Sequence, residues 1–278
     1  MRHRTLDAHQ HFWRYDREAY GWIEPDSEIA GDFQPDHLKP QLDAAGVEAC
    51  IAVQARQTQA ETDWLLALAA RHEWIAGVVG WLDLCSPRIK EVLARYQGVS
   101  ALVGLRHVIQ DEPDDRFMLD SAFTAGVRAA VAEDLAYDIL ITARQAPLVP
   151  QFLDVVGPGR FILDHGAKPP IAAREWEPWA EAVARIATYP FVTCKISGLV
   201  TEADHATWRV DDLEPYVEHL LDCFGPDRLI YGSDWPVCLL AGSYGQVHGL
   251  IDSFVERRCP THRASIFGAT AHAAYALD

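Results

Sequence analysis

The sequence predicts a single α/β domain over residues 1–278, folded as a (β/α)8 barrel. Eight short, mostly apolar segments alternate with stretches of helical periodicity along the 278 residues. Near-continuous apolar strands suit a parallel sheet covered on both faces, and eight such units in a chain of this length are the barrel signature. Polar side chains gather where the apolar runs stop, which is the end of a barrel that carries chemistry. A doubly wound open sheet is the competing arrangement. It loses support because no GxGxxG follows the first strand and no P-loop occurs.

The first strand falls in TLDAHQHFW, Thr5–Trp13, and leads into a long loop, Arg14–Phe33, rich in aromatics and acids. Loops of that length in a compact domain are usually functional. Pro35–Ala45 reads as a helix stopped by Gly46, VEACIAVQ (47–54) as the second strand, and Thr58–Arg71 as a helix opened by a Thr58/Glu61 capping box. WIAGVVGWL (74–82) and ALVGLRHV (101–108) are the third and fourth strands, with a helix over Pro87–Tyr96 between them. A helical stretch, Arg116–Glu133, precedes the fifth strand, DILIT (138–142). After a helix over Leu148–Val156 come RFILDH (160–165), a helix over Trp176–Thr188, FVTCKIS (191–197) and a helix over Leu213–Phe224. RLIYGSD (228–234) is the eighth strand, and helices over Val247–Arg258 and Arg263–Ala276 close the chain.

A net charge of −16 argues against nucleic acid or an anionic membrane surface as partner, because phosphates call for Lys and Arg. No apolar run is long enough to span a membrane, and MRHRTLDAHQ lacks the apolar core of a signal peptide. The six cysteines show no CxxC spacing, so free thiols in a cytoplasmic protein are expected.

Side chains at i and i+2 of a strand share a face, so His9 and His11 project together from the end of the first strand. Two imidazoles so placed can grip a divalent metal or an anionic group. The other strand ends supply Gln54 and Arg56, Asp83, Arg106 and His107, Thr142 and Arg144, Asp164, His165 and Lys168, Lys195 and Ser197, and Asp234 and Trp235. Two of only four lysines fall at such ends. Asp234 precedes Trp-Pro and so cannot lie inside a helix, although a turn or cap Asp would look the same. His9, His11, His165 and Asp234 can hold one metal with room for water, or activate water without metal, Asp234 serving as the base.

Four stretches, HQHFW, ILDHGAKPPI, CKISGLVTEA and FGPDRLIYGSDWPVC, resemble the amidohydrolase superfamily in its sugar-lactonase branch, the L-fuconolactonase and L-rhamnonolactonase type. The resemblance runs from Leu6 to Leu277 and is most specific around Lys195 and Asp234. It implies a distorted (β/α)8 barrel. It also implies metal ligation by His9, His11, His165 and Asp234, with zinc the expected ion, although some members of the branch work without metal. Arg106-His107 stands where binuclear members carry a bridging carbamylated lysine, which points to one metal rather than two. Gly268-Ala269-Thr270-Ala271 replaces the GNAxxFY-like segment that usually ends the branch.

The reaction so implied is hydrolysis of a small aldonolactone. Asp234 activates water, and His165, Arg106, His107 or Lys195 stabilises the oxyanion. Trp13, Trp22 and Trp235 offer flat faces to the sugar ring, and Gln54, Arg56, Lys168 and Lys195 are the candidates to bond its polar groups. A metal-dependent decarboxylase of a small unsaturated or aromatic acid is the alternative chemistry on the same scaffold. A silent barrel binding a sugar acid or a protein is the non-enzymatic one. The expected partner is a small molecule, and the quaternary state is a monomer or a homodimer.

Overall fold

The computed structural model describes residues 3–277. Eight parallel strands form one sheet in sequential order: β1 (Leu6–Gln10), β2 (Ala49–Val53), β3 (Ile75–Gly80), β4 (Leu102–Val108), β5 (Ala136–Leu140), β6 (Phe161–Leu163), β7 (Val192–Ile196) and β8 (Leu229–Tyr231). The helices are α1 (Pro35–Ala45), α2 (Gln59–Ala69), α3 (Ile89–Ala94), α4 (Ser121–Ala132), α5 (Val149–Val156), α6 (Trp179–Ala187), α7 (Val210–Phe224), α8 (Tyr244–Arg258) and α9 (Thr270–Ala274). The (β/α)8 expectation therefore holds. Among the described residues no helix is long and apolar enough to cross a membrane.

Most strands are shorter than the apolar runs suggest, and β5 is displaced. It starts at Ala136 rather than Asp138, because Ala136 and Tyr137 already pair with Gly104 and Leu105 of β4. Thr142 and Arg144 consequently lie beyond the strand, and Arg144 is an exposed partner of Asp115 at 2.8 Å. The last predicted helix is divided into a π-helical turn, Ser265–Ala269, and α9. Gly268 at that turn lies against the Arg4 carbonyl, where an added Cβ would come within 2.6 Å, so the small Gly-Ala pair answers a packing demand.

Two apolar layers hold the barrel. The larger lies between strands and helices, and a smaller inner one contains Leu6, Ala8, Ile51, Val79, Ala136, Ile162 and Ile230. Ala271, Ala274 and Tyr275 join the inner layer. Asp138 and Asp164, two positions beyond Ala136 and Ile162 of this layer, are charged and fully buried, as is Lys195 of β7. The barrel interior thus changes from apolar to ionic one layer above its floor.

Closure between β8 and β1 occurs beyond the regular strands. Asp234 N–H donates to His9 O and His11 N–H to Trp235 O, both at 2.7 Å. The Asp7 carboxylate fastens the same seam: its Oδ1 accepts from Ser233 N–H at 2.9 Å and from His9 N–H at 3.1 Å. Burial raises the Asp7 carboxyl to about 6, against the lowering effect of its bonds to Ser233 and His9. Replacing it by alanine leaves two buried amides without an acceptor, at about 1–3 kcal/mol each. Asp7→Ala should therefore lose about 2–4 kcal/mol in urea denaturation, and a loss under about 0.5 kcal/mol would show that the seam does not need this carboxylate.

Candidate active site

In β1 the pairing register shifts between Asp7 and Gln10. Leu6 and Ala8 pack into the barrel interior, so strict alternation would send His9 outward. A bulge re-aims the side chain that follows it. His9 therefore turns inward, and its ring lies 5.0 Å from that of His11 and 4.4 Å from that of His165.

His165 follows β6 on an unusual piece of backbone. His165, Gly166, Ala167 and Lys168 all have positive φ, between 50° and 62°, forming a left-handed turn that costs L-residues about 1–2 kcal/mol each. Packing supports it: Trp179 Nε1 donates to Gly166 O at 2.7 Å, and Leu220 covers Gly166. Ser197 Oγ contacts His165 Nδ1 at 2.9 Å. Gly198, at φ +62°, lies directly behind the ring, where a Cβ would stand 2.5 Å from His165 Nδ1 and 3.1 Å from Asp234 Oδ2. Asp234 itself has φ +60° and follows β8.

These residues converge. Asp234 Oδ1 lies 3.3 Å from His11 Nε2 and 3.7 Å from His9 Nε2. Burial raises Asp234, but the surrounding histidines, His165 first, outweigh it, so the carboxyl stays below the usual carboxylate range and remains ionised. Burial lowers His165 to about 4 and, with Lys195, holds His9 well below its ordinary value, so both rings are neutral near pH 7. His11 Nδ1 meets the Val53 carbonyl at 2.9 Å and must carry the proton there. That leaves a lone pair on Nε2 facing a carboxylate oxygen, a contact that requires a proton or a metal ion between them. His9, His11 and Asp234 each offer an atom within 4.8 Å of the others, all buried. Two imidazoles and a carboxylate suit zinc and similar divalent ions, so the donor set fits a metal.

Beneath them lies an ion cluster. Lys195 Nζ contacts Asp138 Oδ2 at 2.5 Å, Asp164 Oδ1 at 2.9 Å and His9 Nδ1 at 3.1 Å. Arg106 Nη1 reaches Asp164 Oδ2 at 3.0 Å and His9 Nε2 at 3.1 Å, while Nη2 donates to Gln54 O at 2.5 Å. The Tyr275 hydroxyl donates to Asp138 at 2.8 Å. Burial raises Asp138 to about 6, whereas Lys195, His9 and Arg106 outweigh burial at Asp164 and hold it ionised.

A cavity of about 660 Å3 opens above the histidines. His11, Trp22, Gln54, Arg56, Arg106, His165, Lys168 and Asp234 all line it. Four other candidates sit elsewhere. His107, next to inward Arg106, faces the outer layer, stacked on Phe117 and bonded to Glu112 at 2.7 Å. Trp13 is fully buried under the β1–α1 loop with its Nε1 on Gly31 O, and Trp235 packs against Phe12 and Phe33. Lys195 is fully buried in the ion cluster and does not line the cavity, so it is no substrate contact. His107 and Trp235 show that a strand end marks position along the chain, not the face a side chain takes, while Lys195 points inward but one layer below the cavity.

Sequence reasoning missed Asp138, Tyr275, Glu202 and the role of Glu61. Asp138 carried a signal, an acid inside an otherwise apolar strand. Tyr275 carried none. Thr58 Oγ1 does accept from Glu61 N–H at 3.2 Å, as a capping box requires. The Glu61 carboxylate, however, turns away to accept from Ala55 N–H, Arg56 N–H and Tyr20 O–H, tethering the β1–α1 loop beside the cavity.

A family model described as Amidohydrolase matches residues 6–277. An L-fucono-1,5-lactonase of Burkholderia multivorans is 43% identical, covering 98% of this chain and 96% of its own length. An L-fucono-1,5-lactonase of Burkholderia ambifaria is 39% identical, with the same shares. The crystal structure of a Burkholderia multivorans amidohydrolase with bound zinc superimposes with a TM-score of 0.93 at 43% identity, covering 99% of both chains. A 2,6-dihydroxybenzoate decarboxylase shares only the fold, at 14% identity and a TM-score of 0.68 over all of both chains.

Two outcomes follow from these environments. Lys195→Met strands two buried carboxylates and should destabilise the fold by about 3–5 kcal/mol, with Asp138→Asn on the same chain restoring part of the loss. Urea denaturation of both variants measures this. Burial raises Glu61 to about 7 from an ordinary 4.5, so the folded state keeps a proton that the unfolded chain has lost in that window. The contribution to stability is present below pH 4.5 and fades as pH climbs toward 7. Glu61→Gln, free of this titration, should gain about 2 kcal/mol on the parent between pH 4.5 and 7.5.

Proposed function

The chain belongs to the amidohydrolase family, and from that premise we propose that it hydrolyses a small sugar lactone, of the L-fucono-1,5-lactone kind, to the open sugar acid. The observation that carries the reading is the ionised Asp234 carboxylate at the cavity floor, 3.3 Å from His11 Nε2 and beside a neutral His165. The full-length likeness to two L-fucono-1,5-lactonases supplies the substrate class.

In this mechanism Asp234 accepts the proton of a water directed at the lactone carbonyl. Arg106 and His165, which both line the cavity, stand beside the carbonyl oxygen as negative charge develops on it. Asp234 then returns the proton to the ring oxygen as the ester C–O bond breaks. Trp22, 47% exposed on the wall, offers a flat face to the sugar ring, and Gln54, Arg56 and Lys168 reach its polar groups. His9, His11 and Asp234, with His165 beside them, are the residues that would hold one divalent ion, zinc by preference. Such an ion supplies Lewis-acid polarisation and lowers the pKa of water at the site. Ser197 and Gly198 keep His165 in place, and Lys195 and Arg106 orient His9.

The partner in this reading is a small molecule; a charge of −16 disfavours nucleic acid and anionic membrane surfaces, and free cysteines suit the cytoplasm.

A pH-indicator assay over a panel of aldonolactones tests the reading, run before and after chelation with zinc restored. Acid release that falls with chelator and returns with zinc supports the metal-assisted form, and release indifferent to chelator leaves Asp234 and the histidines to act alone. Asp234→Asn should cut turnover about a thousandfold or more with the fold intact. CO2 release in place of acid release would sink the proposal in favour of a decarboxylase.

A further inference from the structure

The strands run in order around the barrel, so the cavity wall can be read as sectors. The sector after β8 and the β1–α1 loop contribute Ala19, Trp22, Val237 and Leu240, which form an apolar side. The loops after β6 and β7 contribute Lys168 and Glu202, which carry opposite charges. Lys168 Nζ and Glu202 Oε1 are 3.5 Å apart, and both side chains are about three-quarters buried. At that separation the ion pair is loose: the ammonium keeps free protons and the carboxylate keeps free lone pairs.

The pair is also rigidly placed. Lys168 ends the left-handed turn that begins at His165, and positions three apart in one helical turn lie on the same side. The backbone that aims His165 into the cavity thus aims Lys168 beside it, and Lys168 N–H donates to His165 O at 2.8 Å. Glu202 ends a 3-10 turn, Val200–Glu202, five residues after the Ser197 that holds His165. The two loops are joined where Ala172 N–H donates to Glu202 O at 2.9 Å. Burial raises the Glu202 carboxyl and Lys168 opposes it.

We propose that Glu202, acting with Lys168, is the specificity-determining pair of this site, bonding two neighbouring hydroxyls of the lactone's sugar. One hydroxyl donates to Glu202 and the next accepts from Lys168, while the apolar side covers the opposite ring face. A separated acceptor and donor match a vicinal diol, whose two oxygens play both parts. The inference rests on the lactonase reading and adds what recognises the substrate.

Polar sites that lose a substrate hydroxyl discriminate strongly, because a buried group is left unpaired. Glu202→Gln and Lys168→Met should each lower kcat/KM for a fully hydroxylated aldono-1,5-lactone by about 10- to 100-fold, mostly through KM. Against a set of monodeoxy lactones the loss should vanish for one analogue in each variant, and the two analogues should lack adjacent hydroxyls. An equal loss on every analogue, or no loss on any lactone, overturns the proposal. Calorimetry with a 1,5-anhydroalditol, a ring with hydroxyls but no carbonyl, separates this failure from failure of the lactonase reading. If the parent opens no lactone yet binds the anhydroalditol at least tenfold more tightly than Glu202→Gln, the diol site stands alone. If the anhydroalditol binds both equally, or neither, the diol site falls.

Discussion

Lys195 is the point on which this structure turns. Its ammonium is wholly out of water, between Asp138 and Asp164, and touches His9 as well. A buried charge is tolerated only when it is paired and its remaining donors are met. Here two cations, Lys195 and Arg106, meet two carboxylates, and Tyr275 reaches up from the barrel floor to complete Asp138. The apolar layer below and the aqueous cavity above are separated by this neutral cluster. His9 stands on top of it, its ring in contact with Asp164, Lys195 and Arg106, none of which can move without exposing a charge.

The second constraint is closure. The last join of the barrel is made by backbone bonds at His9, His11, Asp234 and Trp235. Three of those four, His9, His11 and Asp234, are the residues proposed to hold a metal ion, and Asp234 is also the proposed base. The geometry of the reacting groups is therefore set by main-chain register rather than by side-chain torsions. The left-handed turn after β6 works similarly: its strained backbone is held by Trp179 and Leu220, which never touch the cavity.

Much of this was legible in the chain. Apolar strands of Val, Ile and Leu announced a parallel barrel, and HQH and YGSDWP marked its first and eighth strand ends, because chemistry at the mouth interrupts apolar runs. What periodicity could not supply was side-chain direction. His107 and Trp235 are correct as strand-end positions and face away from the cavity. His9 turns into the barrel interior only through a bulge that no residue type in LDAHQ announces. Lys195 was noticed for its rarity, yet its partners Asp138 and Tyr275 are 57 and 80 positions away by the numbering, and Tyr275 looks like any residue of a terminal helix. Contacts of that reach exist only once the barrel is closed.

Asp7 and Ser233, the two sides of the seam, are 226 positions apart in the chain. During synthesis the histidines of β1 emerge long before the carboxylate of Asp234 beside them. Until Asp234 is added, the growing chain carries His9 and His11 without that acid. A chain cut before Ser233 and Asp234 lacks both the seam partner of Asp7 and the carboxylate of the candidate site, so the site exists only once segments more than two hundred positions apart have met.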